Sequence, residues 1–549
     1  MPQGFLSLIL HTHLPYVRHP EHPYSLEEKW FYEAMLECYL PLLKIMEKMN
    51  EDEVYFRLTF SLSPTVMSMM EDPLLQERFQ KYLENLQSLA CREQERTRAR
   101  GDNSFAHLAN MYRQHFDEMS SYYHQNCQGN PLRVYRRLQD EGKIEVITTA
   151  LTHGFLPLLQ MQKESVYAQL AAAVDYYQEK FNDLPRGIWL PECAYNYGID
   201  EILEELGVQY FVTDTHGVLY ASPRPKYGVY SPILTENNVA VFARDAESSK
   251  QVWSSQEGYP GDFSYREFYR DIGYDLDLEY IKDYLHPPGF RSDTGIKYHR
   301  ISGSGQSLDY KEPYDPDLAR NKAQEHAGNF MFNREKQIEF LAGIMGRPPV
   351  VVAPYDAELF GHWWFEGPIW LDYLCRKIDR EQDNIQLITP GEYLDLGFPL
   401  QISSPNPSSW GDKGYFEVWL NGNNDWLYRH LHKAAEEMSS LATEFPHPDK
   451  LTERALKQAG RELFLAQSSD WPFIITAGTM VEYAEERARK HIYRFRHLVE
   501  QIYRGHINEE QLQLMESQDN IFPNLNYHLF HLHENTMAID ENKILSPSK

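Results

Sequence analysis

The chain has 549 residues, 42% hydrophobic and 24% charged, enough for one large domain and one or two smaller ones with ample core. A formal net charge of −27 repels nucleic acid and anionic lipid, so neither is an expected partner, whereas a neutral ligand meets no such barrier. No window approaches the roughly 18 consecutive apolar residues of a membrane span, and five scattered cysteines without C-x-x-C spacing suit reduced thiols in a cytoplasmic protein rather than a disulfide framework or zinc site.

The opening MPQGFLSLILHTHLPY has no basic n-region and no small-residue cleavage site, so FLSLILHTH (5–13) reads as a first buried strand rather than a signal peptide. Similar apolar or β-branched runs recur at 54–64, 144–154, 187–192, 208–217 and 349–362, with helical patterns such as 165–181 and 198–207 between them. That alternation predicts a parallel α/β sheet, open or closed into a barrel. The runs end on His, Asp or Glu, and polar groups at the carboxyl ends of barrel strands are where chemistry collects. Residues 72–142 read as a charged helical insertion, and about 220–325, richest in Gly, Pro, Tyr and Asp from 245 on, as long loops over one face. The catalytic block is expected over 1–402 and a linker over 403–423. From 424 to 549 the pattern is amphipathic helix, with Pro446 and Gly505 marking helix ends.

Two carboxylates stand out. Glu192 closes the strand GIWLPE, where burial and placed partners can tune it; its ordinary alternative is capping the next helix. Asp356 closes another strand in APYDAELFGHWWFEGP, with an Asx-turn or N-cap as its alternative, and Glu358, two positions on, is expected to point elsewhere. Retaining glycoside chemistry needs a nucleophilic carboxylate and a carboxylic acid roughly 5–5.5 Å apart, and separate strand ends can supply both. His11 and His13 share one strand face, while His153, His216 and His362 follow other strands. Metal ligation, sugar-hydroxyl recognition and simple core hydrogen bonding all remain open for them.

HTHLPY (11–16), THGFLP (152–157), WLPECAY (189–195), PYDAELFGHWW (354–364) and AQSSDWPF (466–473), taken in this order, resemble glycoside hydrolase family 57 and, within it, the α-1,4-glucan branching enzymes. The resemblance implies a distorted (β/α)7 barrel with a helical insertion and a carboxyl-terminal α-helical bundle. It implies Glu192 as nucleophile and Asp356 as general acid/base, with Trp189 and Trp363 shaping the site. His11, His13 and His153 would bind sugar, and Asp470 and Trp471 would reach in from the helical domain. The stretch 252–275 looks like the family's mobile loop, with Tyr259 excluding water and Arg270 binding substrate. Trp410 and Trp419 would line an acceptor groove. An ordinary turn at Tyr259–Asp262 and domain-packing roles for both tryptophans are the alternatives. No metal or cofactor is implied, and the expected partner is α-glucan (amylose, amylopectin or glycogen), bound by a monomer or small homo-oligomer. A glucanotransferase, an α-amylase, a metal-dependent barrel hydrolase and a non-catalytic glucan-binding protein are the rival functions.

Overall fold

The computed structural model describes residues 2–254 and 257–531. Seven parallel strands carry the first unit: β1 Gly4–Thr12, β2 Leu58–Leu62, β3 Ile144–Thr149, β4 Gly187–Trp189, β5 Tyr210–Thr213, β6 Ala240–Ala243 and β7 Val350–Asp356. Their order across the sheet is β6-β5-β4-β3-β2-β1-β7. The sheet curls until its two edges meet without a ladder, and just beyond β6 the Asp245 N–H donates to the Val352 carbonyl of β7 at 2.8 Å. This is the distorted (β/α)7 barrel that the alternation of strands and helices implies.

All nine residues of β1 are buried, as expected of a strand covered on both faces. Inside the barrel lie Phe5, Ile9, Ile147, Trp189, Val212, Phe242, Val350 and Val352, a packed interior rather than a pore. The register of β1 on β7 runs from Phe5↔Val350 to His11↔Asp356. In-register partners on parallel strands face the same side, so the apolar layers below deliver His11 and Asp356 together at the carboxyl rim.

The insertion between β2 and β3 is helical, as the sequence predicts. Helices Pro73–Ala99 and Asn103–Gln125 pack on each other through stripes such as Leu75, Phe79, Leu83 and Leu86, each at most 2% exposed. Both begin on an aspartate, Asp72 and Asp102, whose carboxylate accepts first-turn N–H groups. Less foreseeable is a six-residue π-helix, Ala34–Tyr39, a form common near functional sites. Gly361 lies against it: φ is +119°, and a Cβ there would meet the Glu37 carbonyl oxygen at 1.7 Å.

The second unit comprises Gly154–Ala172 and the chain from Trp419 on. It contains helices Trp426–Glu444, Lys450–Ala466, Asp470–Ala477, Val481–Arg504 and Glu509–Gln518, and Gly505 closes the fourth in the left-handed conformation at φ 63°. The sequence boundaries at 402 and 424 differ from this division for two reasons. Residues 403–418 stay with the barrel because Ser404 exchanges backbone hydrogen bonds with Ser222, and Ser408 with Tyr195. Residues 154–172 join the helices through side chains, with Gln467 donating to Ser165 at 2.6 Å and Gln169 to Gln467 at 3.0 Å. The five cysteines are free thiols, and among the described residues no helix is long and apolar enough to cross a membrane.

Candidate active site

Beyond β4 the backbone turns sharply. Glu192 and Cys193 take φ of 61° and 50°, left-handed conformations that cost L-residues roughly 1–2 kcal/mol each and persist only where the surroundings enforce them. The enforcing segment is 408–410. Tyr195 and Ser408 exchange backbone bonds of 2.9 and 3.1 Å, and the Trp410 N–H donates to the Glu192 carbonyl at 3.0 Å. The same tryptophan donates its indole Nε1–H to Glu192 Oε2 at 2.8 Å, and His153 Nδ1 lies 3.7 Å from Oε1. Helix capping does not explain this carboxylate, because the next helix, Ile199–Glu205, starts from Gly198.

Asp356 begins a short 3-10 turn but makes no side-chain capping bond. Burial, then the charges of Glu358 and Glu192, push its pKa well above the usual carboxylate range, with Arg244 opposing. The two strand-end carboxyls therefore lie within electrostatic reach of each other and are set up differently, one accepting an indole N–H and one pushed toward its protonated form. Glu358 does not point away from this group. The turn directs it to Tyr39 of the π-helix, whose hydroxyl donates to Oε1 at 2.5 Å, while its charge still acts on Asp356. Burial lifts Glu358 itself to about 7. Next along the π-helix, Glu37 meets His362 at 2.7 Å. Burial alone would raise Glu37, but His362, Arg266 and Lys297 outweigh it and bring it to about 2.

The histidines form a stack. His13 and His153 rings lie 3.8 Å apart and 17° from parallel, and His11 is 5.0 Å from His153 and 4.8 Å from Trp189. Burial, reinforced by the neighbouring rings, holds His11 and His153 well below the ordinary imidazole pKa. Geometry agrees: His11 Nε2 and His153 Nε2 are 3.0 Å apart, and such a bond needs one bare nitrogen. Stacked rings carry their lone pairs in roughly parallel planes, and His11 spends its nitrogens on His153 and on Ser61, 3.1 Å away. With those nitrogens engaged, the stack does not converge on an ion.

Comparison with known proteins places this geometry. The model of glycosyl hydrolase family 57 matches residues 7–404, more than half of the chain, and that of the 1,4-alpha-glucan branching enzyme C-terminal region matches residues 430–530. The chain belongs to glycosyl hydrolase family 57. Over 95% of its length it is 34% identical to a 1,4-alpha-glucan branching enzyme of Thermococcus kodakarensis, covering 77% of that protein. The crystal structure of a GH57-type branching enzyme from Pyrococcus horikoshii superposes with a TM-score of 0.87 at 35% identity, covering 97% of each chain. That of the alpha-amylase AmyC from Thermotoga maritima superposes at 0.91 with 45% identity, covering 97% of this chain and all of the other.

Other residues singled out in this family 57 sequence have varied surroundings. Trp189 is buried in the barrel, 4.9 Å edge-on from Trp410. Trp363, 52% exposed, stacks on Phe268 at 4.4 Å. Tyr259 donates its hydroxyl to Asn329 at 2.7 Å and stacks on His326, both on helix Pro316–Met345; residues 255 and 256 of its stretch lie outside those described. Arg270 pairs with Asp275 at 2.9 Å and donates to the Leu308 carbonyl. In the second unit Trp419 is 1% exposed and stacked on Phe155 at 4.5 Å, which leaves no ring face open. Trp471 is equally buried and donates to the Leu465 carbonyl, while Asp470 accepts from Ser468.

Sequence reasoning passed over Ser61, Tyr39 and the Asp214–Arg244 pair. Burial would raise Asp214, but His216 and Arg244 more than offset it and hold it below the usual range. Both Asp214 and Arg244 stand one residue past a strand, so the rule that found Glu192 could have found them. The cluster of metal-capable atoms among the described residues is Glu462, His491 and Asp519 in the second unit. Arg494 pairs with Asp519, and Arg487 lies 4.0 Å from it. These cations occupy the role an ion would take.

Proposed function

We propose that this family 57 chain is a retaining 1,4-α-glucan branching enzyme working by double displacement. The observation that carries this reading is the contrast between two strand-end carboxyls: Glu192, fixed in a strained turn with an indole N–H on one oxygen, and Asp356, kept protonated by burial and by its acidic neighbours. Glu192 attacks the anomeric carbon of an α-1,4-glucan while Asp356 protonates the departing oxygen, leaving a covalent glycosyl-enzyme. Asp356, now a carboxylate, removes the proton from the 6-hydroxyl of an acceptor chain. That oxygen displaces Glu192, giving an α-1,6 branch with the α-configuration retained. His11, His13 and His153 form the stacked wall beside these carboxyls against which the sugar being transferred would pack.

The relatives in Thermococcus and Pyrococcus support transfer, and the Thermotoga relative supports a second reading, hydrolysis by the same first step. Held acceptors reach effective molarities of ~10⁵–10⁸ M, so an ordered acceptor site outcompetes water. Tyr259 is assigned to that exclusion, and Tyr259→Ala should lower branching more than hydrolysis. The deciding experiment incubates amylose, amylopectin or glycogen with the enzyme and profiles the isoamylase-debranched chains beside reducing sugar. New α-1,6 linkages with little reducing sugar support the proposal; linear products and free reducing ends assign the chain to hydrolysis instead.

A further inference from the structure

In the second unit, helices Trp426–Glu444 and Val481–Arg504 leave an open groove of about 690 Å³ between them. Its floor is apolar, with Ile492 and Val499 each 8% exposed. From one wall comes Trp426, whose indole carries the Arg489 guanidinium at 4.0 Å. From the other comes Tyr493, 68% exposed, with its ring within 5° of parallel to His497 and 6.0 Å from it. A second hollow of about 610 Å³ shares Arg489 and Tyr493 along the same helix, and there Glu482, Glu485 and Glu486 outnumber Arg489 and Lys490.

The wall charges indicate what fits. Arg489 and Arg496 line the groove together with Glu437 and Glu500, two cations and two anions, on a chain whose total charge is −27. A polyanion would require a cationic excess, which neither hollow has. Mixed charges beside the exposed ring of Tyr493 suit a neutral polyhydroxyl chain. Rings cover the C–H faces of pyranoses, while guanidinium and carboxylate groups bond to adjacent hydroxyls. We propose that the groove is a non-catalytic binding site for a linear segment of α-glucan, which holds polymeric substrate to the helical unit. The identity of the sugar rests on the α-glucan reading above. A branched polymer offers many chain segments, and a second point of attachment multiplies avidity by roughly 10²–10⁴.

The test uses the full chain on native gels containing amylopectin, together with turnover of maltooligosaccharides. Tyr493→Ala and the double variant Trp426→Ala/Tyr493→Ala should weaken retardation about tenfold or more, with kcat and KM on maltooligosaccharides unchanged. Should the double variant misfold by circular dichroism, Tyr493→Ala at its exposed position decides alone. Unaltered retardation of Tyr493→Ala overturns the proposal. So does a lowered sedimentation coefficient, which would assign the groove to a second copy of the chain. Glu192→Gln keeps the two readings apart: if its turnover persists the catalytic reading fails, whereas the change in retardation caused by Tyr493→Ala on that background still reports on the groove.

Discussion

Each unit of the molecule buries a knot of charge, and the two knots are wired oppositely. In the helical unit, burial leaves Glu462 raised although Arg494, Gln458, Arg487 and Arg461 oppose it, and Asp519 pairs with Arg494. In the barrel, the strongest neighbours of Asp356 are Glu358 and Glu192, which push the same way as burial. The fully buried Glu462 is thus countered by cations, whereas the half-buried Asp356 has acidic neighbours that add to the effect of burial. Depth does not mark a reactive carboxyl; the sign of its neighbours does.

The sharpest way to break this comparison is to amputate one carboxylate from each knot. Glu192→Gln should lower turnover by about four orders of magnitude while the thermal midpoint stays in place, because the amide still accepts from Trp410. Asp519→Asn should do the reverse. It leaves Arg494 and Arg487 with Glu462 as their remaining counter-charge, at a cost of up to about 3–5 kcal/mol, with kcat per folded molecule unaltered. Denaturant titration and kcat normalised to folded protein read both arms. A stable Asp519→Asn variant with reduced kcat would invert the contrast.

A second test stays within the barrel. Trp410→Phe keeps the aromatic packing on Trp189 but removes the 2.8 Å bond to Glu192. Hydrogen bonds to charged groups contribute about 1.5–3 kcal/mol, so kcat should fall roughly 10- to 100-fold. An unchanged kcat would show that the indole merely fills space.

Trp410 also shows how far the sequence could be read. Strand-end logic found Glu192, Asp356 and the histidines because a barrel gathers those ends whatever lies between them. It could not see that a tryptophan 218 positions away supplies the partner of Glu192 itself, since spacing along the chain says nothing about which loop folds over which strand. Glu358 could not be placed by counting: two residues apart on a strand share a face, but the strand ends at Asp356 and the 3-10 turn carries the next carboxylate to Tyr39. The π-helix was invisible because the side chains of Ala34–Tyr39 look like those of any buried α-helix, and the extra residue per turn shows only in the backbone hydrogen bonds. Residues 154–172 were assigned to the barrel for want of any signal that Gln169 and Ser165 would meet Gln467.

Glu358 supplies a gentler test of the contrast between the knots. Its charge helps to keep Asp356 protonated, so Glu358→Gln should lower the pKa of Asp356. A general acid is lost as pH rises through its pKa, and a lowered pKa brings that loss to lower pH. The alkaline limb of the kcat profile should therefore move downward, with severalfold less activity on that side and little change on the acid side. A shift in the opposite direction would mean that Glu358 acts on Asp356 chiefly as a hydrogen-bond partner.

The smallest effect belongs to Ser61, and it probes how the barrel orients Glu192 without a full counter-charge. Of the two proton arrangements these contacts allow, the one that suits an ionised Glu192 has Ser61 Oγ–H donating to His11 Nδ1, His11 Nε2–H to His153 Nε2, and His153 Nδ1–H turned toward the carboxylate 3.7 Å away. Ser61→Ala removes the first donor in that chain and frees His11 to flip its tautomer, which would leave a bare His153 nitrogen facing a carboxylate. One neutral hydrogen bond contributes about 0.5–1.5 kcal/mol, so kcat should fall only about two- to tenfold. The acid limb of the profile should rise in pH, because a stack with mixed tautomers accepts a proton more readily. If Ser61→Ala changes neither, His153 is oriented by its left-handed backbone at φ 57° and by the rings against it, and the proton chain is a consequence of the packing rather than its cause.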